Sequence, residues 1–300
     1  MLNRVKMRKY SLRWRFPSVA LGMLALLAGC GGSKKPVVVG AKSNTAQSLL
    51  GEIVAQHLEH RLGRKVGRNL SLGGTALAYQ SLTNGEVGIY PEETATIQAV
   101  ILKEPPNPDP ASSLERGRNE MRRVAQIEVL DPLGVDDVWR IIVKKDQTFE
   151  TLSEAQDAKP GWKLGVTRDF NERLDGLAAL NQYRLPMGAV QRVSDAATLY
   201  AALESGELTM VAGSATDGPP SRHSDWKVLR DDKKVFASYQ TCLMVRTDLI
   251  LGDARIRPAL AELSAKFTNE SLSALAVQVD IDHRKPADVA AEFLTQAGLK

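Results

Sequence analysis

Polar side chains follow four apolar segments of this 300-residue chain. They supply an ammonium group, carboxylates, hydroxyls and a phenol, and they belong to Lys42 and Ser43 and to the segments 73–75, 90–93 and 214–217. Each preceding segment has the pattern of a buried strand, and backbone N–H groups point outward where such a strand gives way to a helix. The sequence therefore predicts a cleft that holds a small polar solute, with Gly74, Thr75 and Tyr90 among its residues.

These groups do not make a recognisable catalytic site. Glu92 and Glu93 are adjacent on a strand, so we expect their side chains to point to opposite faces and not to flank one reacting bond. His57 and His60 could share a metal, but a solvated helix face explains them as well, since no third ligand is evident. Cys242 lies in an apolar strand, as inert core thiols do. Without a nucleophile elbow or a phosphate loop, the sequence predicts a protein that is not an enzyme and needs neither cofactor nor metal.

Apolar segments typical of strands alternate with helical patterns along the chain. The first helix is expected to begin after Asn44, a residue type that caps helices, because apolar positions from Ala46 to Leu58 recur at helical spacing. We predict strands at 37–40, 66–72, 87–90, 138–143, 162–166, 190–193, 208–212 and 241–245. Further helices are predicted at 75–85, 175–183, 196–204, 258–267, 271–279 and 286–297. The prolines within 104–110 predict a surface loop.

The strand–helix alternation restarts after that loop, which predicts an α/β protein with two lobes, each a mostly parallel sheet flanked by helices. The chain can cross between the lobes twice, and we expect the crossings near 136–139 and 239–242. Residues 37–137 together with 242–300 are assigned to the first lobe, and residues 138–241 to the second. The polar strand ends of both lobes would then meet in one cleft.

The N-terminus has the features of a lipoprotein leader. Six basic residues precede an apolar run of about a dozen residues, which is too short to span a bilayer as a helix. The run ends in Leu-Ala-Gly-Cys at Cys30, which resembles a bacterial lipobox whose cysteine is acylated and becomes the mature N-terminus. An ordinary signal peptide with an incidental cysteine is the alternative. We assign residues 1–29 to the signal peptide and 30–36 to a lipidated tether, which predicts an extracytoplasmic protein.

Loss of the leader changes the charge balance. The whole chain carries +4, and removal of the six basic residues leaves the mature chain near −2. A nucleic-acid-binding surface is therefore not expected, because no basic stripe remains. Cys242 would have no disulfide partner once Cys30 is acylated, so the fold must be stabilised by burial.

The motifs of the mature chain resemble, in order, those of the glycine betaine/choline (osmoprotectant) type of ABC-transporter substrate-binding protein. The matching segments are 39–45, 72–76, 85–92, 131–134, 173–177, 216–218, 228–232 and 290–294. The resemblance implies the two-lobe "Venus flytrap" fold of periplasmic binding proteins. It also implies delivery of a compatible solute to an ABC permease and its ATPase, by a receptor held at the membrane by its N-terminal lipid.

The resemblance further implies the ligand contacts. In the family a carboxylate meets a Lys, an Arg and a Thr, which here are Lys42, Arg173 and Thr96. The family holds a quaternary ammonium in a box of tyrosines by cation–π attraction. Three positions of that box differ in this chain, where the corresponding residues are Glu93, Trp139 and Ser214. Tyr239 retains a tyrosine, with Gln240 in place of a second one, and Thr216 of the matching segment 216–218 is also expected at the ligand.

Glu93 motivates a hypothesis about the ligand. A buried carboxylate needs a partner, and an ammonium that carries N–H donors satisfies it better than a methylated one. The ligand is therefore expected to pair a carboxylate with a protonated or less methylated amine, or glycine betaine is expected to bind only weakly, unless Glu93 points to solvent. Alternatives are a receptor for an amino-acid-like solute and a sensory lipoprotein that imports nothing. We expect a monomer at the periplasmic face of a Gram-negative membrane.

Overall fold

The computed structural model describes residues 36–105, 107, 109–158 and 161–300. The predicted signal peptide, the lipidation site Cys30 and the tether up to residue 35 lie outside these residues. The described residues belong to one compact unit, Lys35–Lys300. Within the described part of the chain, no helix is long and apolar enough to cross a membrane.

The described residues form ten strands. They are β1 (Val38–Gly40), β2 (Gly67–Asn69), β3 (Ile89–Glu93), β4 (Ile127–Val129), β5 (Trp139–Lys144), β6 (Trp162–Val166), β7 (Met187–Arg192), β8 (Met210–Ser214), β9 (Trp226–Leu229) and β10 (Thr241–Arg246). Sheet 1 has the order β2-β1-β3-β10-β4, and sheet 2 has the order β7-β6-β8-β5-β9. We call the elements around sheet 1 lobe 1 and those around sheet 2 lobe 2.

Helices cover both sheets. They are α1 (Thr45–Leu62), α2 (Thr75–Asn84), α3 (Thr94–Thr96), α4 (Pro110–Ala125), α5 (Leu152–Asp157), α6 (Arg168–Glu172), α7 (Leu177–Leu180), α8 (Ala196–Ser205), α9 (Thr247–Gly252), α10 (Ile256–Ala261), α11 (Asn269–Asp280) and α12 (Pro286–Gln296). A π-helical turn, Ile97–Leu102, extends α3, and 3-10 turns occur at Asn181–Tyr183 and Pro219–Arg222.

In each sheet four of the five strands run in the same direction and one runs opposite, so the sheets are mostly parallel, as predicted, with one antiparallel strand each. In sheet 1 the antiparallel strand is β10, and in sheet 2 it is β5. Both strands begin just after the chain passes from the other sheet, so no βαβ crossover forces them to run parallel to their neighbours.

The two passages between the sheets lie side by side. Asp136 and Gln240 form an isolated antiparallel bridge, and the Asp137 N–H donates to the Tyr239 carbonyl at 3.1 Å. This pairing lies at the expected crossings near 136–139 and 239–242, and it brings the ends of β3, β5 and β8 to one junction.

The core of lobe 1 explains why α1 is so deeply buried. The Asn44 side chain accepts the Gln47 N–H at 2.9 Å and begins the helix, and Gly63 ends it with a left-handed φ of 64°. Leu50, Ile53 and Leu58 then pack in one cluster with sheet 1 and the C-terminal helices. Burial on this scale stabilises the lobe by about 1.5–3 kcal/mol for each fully enclosed aliphatic side chain.

Candidate ligand-binding site

Lys42 is the centre of the charged junction in lobe 1. It follows β1, and its Nζ lies 2.6 Å from Glu92 Oε1 and 2.6 Å from Glu93 Oε2. The expectation that the two glutamates point to opposite faces is wrong, because β3 ends at Glu93 and the Glu92 carboxylate turns forward to accept the Glu93 N–H at 3.0 Å. Both carboxylates therefore reach one ammonium group.

Glu93 is buried, so the alternative that it points to solvent is contradicted; it is 6% exposed. Besides Lys42, its carboxylate accepts hydrogen bonds from Gln47 Nε2 and, at 3.2 Å, from Thr96 Oγ1. The Asn44 cap positions Gln47 in the first turn of α1. The protein itself thus supplies the partner that Glu93 requires, and Lys42 is already neutralised by carboxylates.

The two glutamates differ in their affinity for a proton. Burial raises the pKa of Glu92 above its usual value, and the neighbouring charge of Glu93 adds to this although Lys42 opposes it. Burial also disfavours ionised Glu93, but the charge of Lys42 and the hydrogen bonds around it hold the pKa of Glu93 below its usual value. Of the two carboxyl groups that Lys42 contacts, Glu92 therefore holds a proton more readily than Glu93.

Arg173 joins the two lobes. From lobe 2 its Nε and Nη2 donate to Asp175 at 2.9 and 2.8 Å, while Nη1 donates to Thr96 Oγ1 of lobe 1 at 3.1 Å. Nη2 also donates to the hydroxyl of Tyr239 at 3.2 Å. Burial would lower the pKa of Arg173, but the bonds and charge of Asp175 raise it above its usual value. Arg173 accordingly remains a fixed cation whose charge is largely offset by Asp175.

An aromatic group surrounds Arg173. Tyr239 accepts a bond from Trp139 Nε1 at 3.1 Å, and the Arg173 guanidinium lies 5.3 Å from the centre of the Tyr239 ring. Trp139 also meets Phe170 edge to face, with 5.2 Å between ring centres. The Tyr239 face that was predicted for a ligand cation is thus engaged by the protein's own guanidinium.

Ser214 and Thr216 converge on Asp137, a residue that sequence reasoning did not select. Asp137 Oδ1 accepts bonds from Ser214 Oγ, from the Thr216 N–H at 3.1 Å and from Thr216 Oγ1 at 2.8 Å. Burial raises the pKa of Asp137 to about 6, and the charge of Glu93 acts in the same direction against these hydrogen bonds. The only available signal was a pair of acidic residues at a predicted crossing.

Of the remaining predicted residues, Tyr90 reaches this network through its hydroxyl, whereas Gly74 and Thr75 do not join it. Tyr90 is completely enclosed in a core cluster, and its hydroxyl donates to Glu92 Oε2 at 3.3 Å, so the ring does not line the junction. Gly74 and Thr75 begin α2. Their loop is tied to the end of β1 by Ser43, whose N–H donates to the Gly73 carbonyl at 3.1 Å. Neither Gly74 nor Thr75 makes a hydrogen bond to the charged groups described above.

His57 and His60 have structural surroundings. His57 is completely buried, and its Nε2 lies 2.8 Å from the Ala259 carbonyl oxygen. His60 is exposed on the same helix. Among the residues that the structure describes, no group of three or more His, Cys, Asp or Glu side chains could hold a metal ion.

Charge at the junction is uneven. Its carboxyl groups belong to Glu92, Glu93, Asp137 and Asp175, whereas its cations are Lys42 and Arg173.

Two five-stranded sheets joined by two crossing segments, with a polar site where they meet, define a two-lobed solute-binding protein of the α/β class.

Comparison with known proteins identifies the family. The model for the substrate-binding domain of the ABC-type glycine betaine transport system matches residues 35–296, and the chain belongs to this family. The chain is 27% identical over 272 residues to the ergothioneine transport permease/ergothioneine binding protein EgtU of Helicobacter pylori, covering 89% of this chain and 48% of that protein. It thus spans about half the length of that relative. It is 25% identical to the carnitine transport binding protein OpuCC of Listeria monocytogenes, covering 89% of each.

Solved structures share the fold. The crystal structure of a glycine betaine/carnitine/choline ABC transporter protein superposes with a TM-score of 0.77 at 24% identity, covering 88% of this chain and 99% of that one. This likeness confirms the predicted two-lobe α/β fold. Family membership confirms the recognition made from the sequence motifs and gives the chain a substrate-binding role, not an enzymatic one.

Proposed function

We propose that this protein is the extracytoplasmic receptor of an ABC importer and binds a small cationic or zwitterionic amine between its lobes. The observation that carries the proposal is the excess of carboxyl groups over cations at the junction. The capacity for an anion is small by comparison, because Lys42 is neutralised and Arg173 already uses four of its five N–H groups. A ligand with a cationic group, with or without a carboxylate, fits this excess of carboxyl groups.

Relatives support the solute class. They are named for carnitine, glycine betaine and ergothioneine. Carnitine and glycine betaine each combine a permanent ammonium charge with a carboxylate. We assign the cation to the side of Glu93 and Asp137, and any carboxylate to the free N–H of Arg173.

Binding is coupled to closure of the lobes in this proposal. Lobe 1 comprises 37–137 with 242–300 and lobe 2 comprises 138–241, and the paired crossing segments act as the hinge. The Arg173–Thr96 bond and the bond from Ser273 Oγ to the Asp217 carbonyl, at 2.8 Å, join the lobes when they are shut. A ligand that contacts both lobes shifts the population toward this form. Small-angle scattering should show compaction on saturation, and an unchanged radius of gyration would contradict closure.

A lipid on Cys30 would hold the receptor at the periplasmic face of the membrane, where a permease and its ATPase receive the solute. Labelling of expressing cells with radioactive palmitate tests this anchor. We expect label in the wild type and in Cys242→Ser, whose buried thiol is a matched control, and none in Cys30→Ser. Equal labelling of both cysteine variants would contradict the assignment.

Isothermal titration of the purified protein tests the solute class. Choline, glycine betaine and carnitine are compared with succinate and a neutral sugar, and we expect only ammonium compounds to bind, at one per chain. Glu93→Gln should weaken that binding, whereas Glu128→Gln, which removes a carboxylate paired with Arg122 and Arg257 at the surface of lobe 1, should not. Binding of the anion or the sugar alone would overturn the proposal.

A further inference from the structure

Asp137 has no cationic partner among the described residues, unlike Glu92, Glu93 and Asp175. Glu92 and Glu93 share Lys42, and Asp175 is paired with Arg173. All three hydrogen bonds that Asp137 accepts end on Oδ1. Its second oxygen, Oδ2, accepts none from the residues that the structure describes, although a carboxylate oxygen in a partly buried position favours a donor.

The position of Asp137 suits a ligand contact. It lies on the first crossing segment, and its N–H donates to the carbonyl of Tyr239 on the second. Trp139, two residues further on, pairs with Ser214 in sheet 2 and contacts the Tyr239 ring. The charge of Glu93, at the end of β3, acts directly on Asp137. Asp137 therefore lies where the ends of both sheets and the aromatic group meet.

Gln47 provides a second and independent observation. Its Nε2 donates to Glu93, but its Oε1 is buried and has no hydrogen-bond partner among the described residues. Gln47 is only 3% exposed, so water does not readily replace the missing donor. A buried acceptor left unpaired destabilises the fold unless a bound donor completes the hydrogen bond. Gln47, which contacts Glu93, thus also presents an acceptor that lacks a donor.

We propose that Asp137 is a specificity-determining residue that receives an N–H from the ligand's cationic group. This inference rests on the proposed function and narrows its solute class to primary, secondary or tertiary ammonium compounds, in place of fully methylated ones. A trimethylammonium group presents only C–H to a carboxylate, whereas an N–H makes a short, charge-assisted hydrogen bond. Lys42 already satisfies Glu93, so Asp137 takes the role that the sequence suggested for Glu93.

Two ligand series that differ only in the number of N–H groups test the proposal by calorimetric titration. One comprises glycine, sarcosine, dimethylglycine and glycine betaine. The other comprises ethanolamine, its mono- and dimethyl derivatives and choline, and it lacks the carboxylate. We expect the best N–H-bearing member of at least one series to bind about tenfold or more tightly than the trimethyl member.

The variant Asp137→Asn removes the charge and keeps an oxygen that can accept the bonds from Ser214 and Thr216. It should abolish the preference for N–H-bearing ligands. Asp195→Asn is the matched control, because Asp195 caps α8 in lobe 2 and asparagine caps helices equally well. Its preference should equal that of the wild type, and thermal unfolding of both variants verifies that they are folded.

The outcomes separate the two proposals. Tight binding of glycine betaine or choline, with weaker binding of every N–H-bearing member, would overturn the assignment of Asp137 and leave the proposed function standing. A preference that Asp137→Asn leaves unchanged would also overturn it. If no member of either series binds, the assignment of Asp137 fails, and the proposed function fails with it when carnitine does not bind either.

Discussion

Replacement of Lys42 by methionine should destabilise the protein strongly and in a pH-dependent way. Its Nζ lies 2.6 Å from a carboxylate oxygen of both Glu92 and Glu93, and all three residues are buried. Removing one partner of a buried ion pair costs about 3–5 kcal/mol. Burial raises the pKa of Glu92, whereas the pKa of Glu93 is held low, so Glu93 is the carboxylate that is left as an uncompensated buried charge. We therefore expect a loss of about 3 kcal/mol near pH 7.

The sign of the pH dependence follows from Glu93. In the wild type its folded-state pKa lies below the unfolded value of about 4.3, so its ionised form stabilises the fold above that pH and this stabilisation is lost in acid. Without the charge and hydrogen bond of Lys42, burial raises the folded-state pKa of Glu93, although its hydrogen bond with Glu92 acts in the opposite direction. The variant then binds more protons than the wild type, and its deficit in free energy of unfolding shrinks as the pH falls from about 7 to about 5.

Urea unfolding followed by circular dichroism at both pH values measures this deficit. The double variant Lys42→Met/Glu93→Gln removes both charges and should recover about half of the loss or more. A deficit under about 1 kcal/mol, or one that does not change with pH, would refute the account of Lys42 as a buried counter-ion.

Three further outcomes are expected. The affinity for choline should fall about tenfold between pH 7 and pH 5, because Asp137, whose pKa is about 6, becomes protonated and no longer attracts a cation. The charge of choline does not depend on pH, so calorimetric titration at both pH values checks this. Arg173→Lys cannot make the paired bonds to Asp175, so calorimetry should show about tenfold weaker ligand binding, and unchanged affinity would count against the interlobe bridge. Gly134→Ala should lower the free energy of unfolding in urea by about 3 kcal/mol or more, because the φ of Gly134 is 104° and a Cβ would lie 2.2 Å from the Phe267 carbonyl oxygen. Gly252 has open space around it, so Gly252→Ala should stay within about 1 kcal/mol of the wild type.

The regular elements with strong local signals were predictable from the sequence. The Asn44 cap and the apolar spacing of α1 located that helix, and Gly206 marked the end of α8. Helix α4 and strand β4 were not predicted, because α4 is mostly polar and β4 is only three residues long. Such short edge strands depend on a partner, here β10, that lies far away in sequence.

Several residues of the charged network could be selected from the sequence, but the contacts between their side chains could not. The strand ends and family motifs selected Lys42, Glu93, Thr96, Arg173 and Tyr239, which the structure joins in one network. The pairing of the charged groups depends on the side-chain conformation at the end of β3, where the Glu92 carboxylate accepts the Glu93 N–H. No periodicity encodes that conformation.

Asp137 escaped prediction for a related reason. Its role depends on Ser214 and Thr216, which come from a strand more than seventy residues later and approach it only once sheet 2 has formed. Tyr90, which was also predicted to contact the ligand, fills the core beneath α2, and its hydroxyl donates to Glu92.

The central claim is that the junction captures a small cationic or zwitterionic amine. Mass spectrometry of the small molecules released from protein purified without unfolding, from cells that produce it naturally, tests this most directly. The account predicts one amine per chain, with at least one N–H on its charged nitrogen. Release of an anion or a neutral sugar at the same stoichiometry would contradict it.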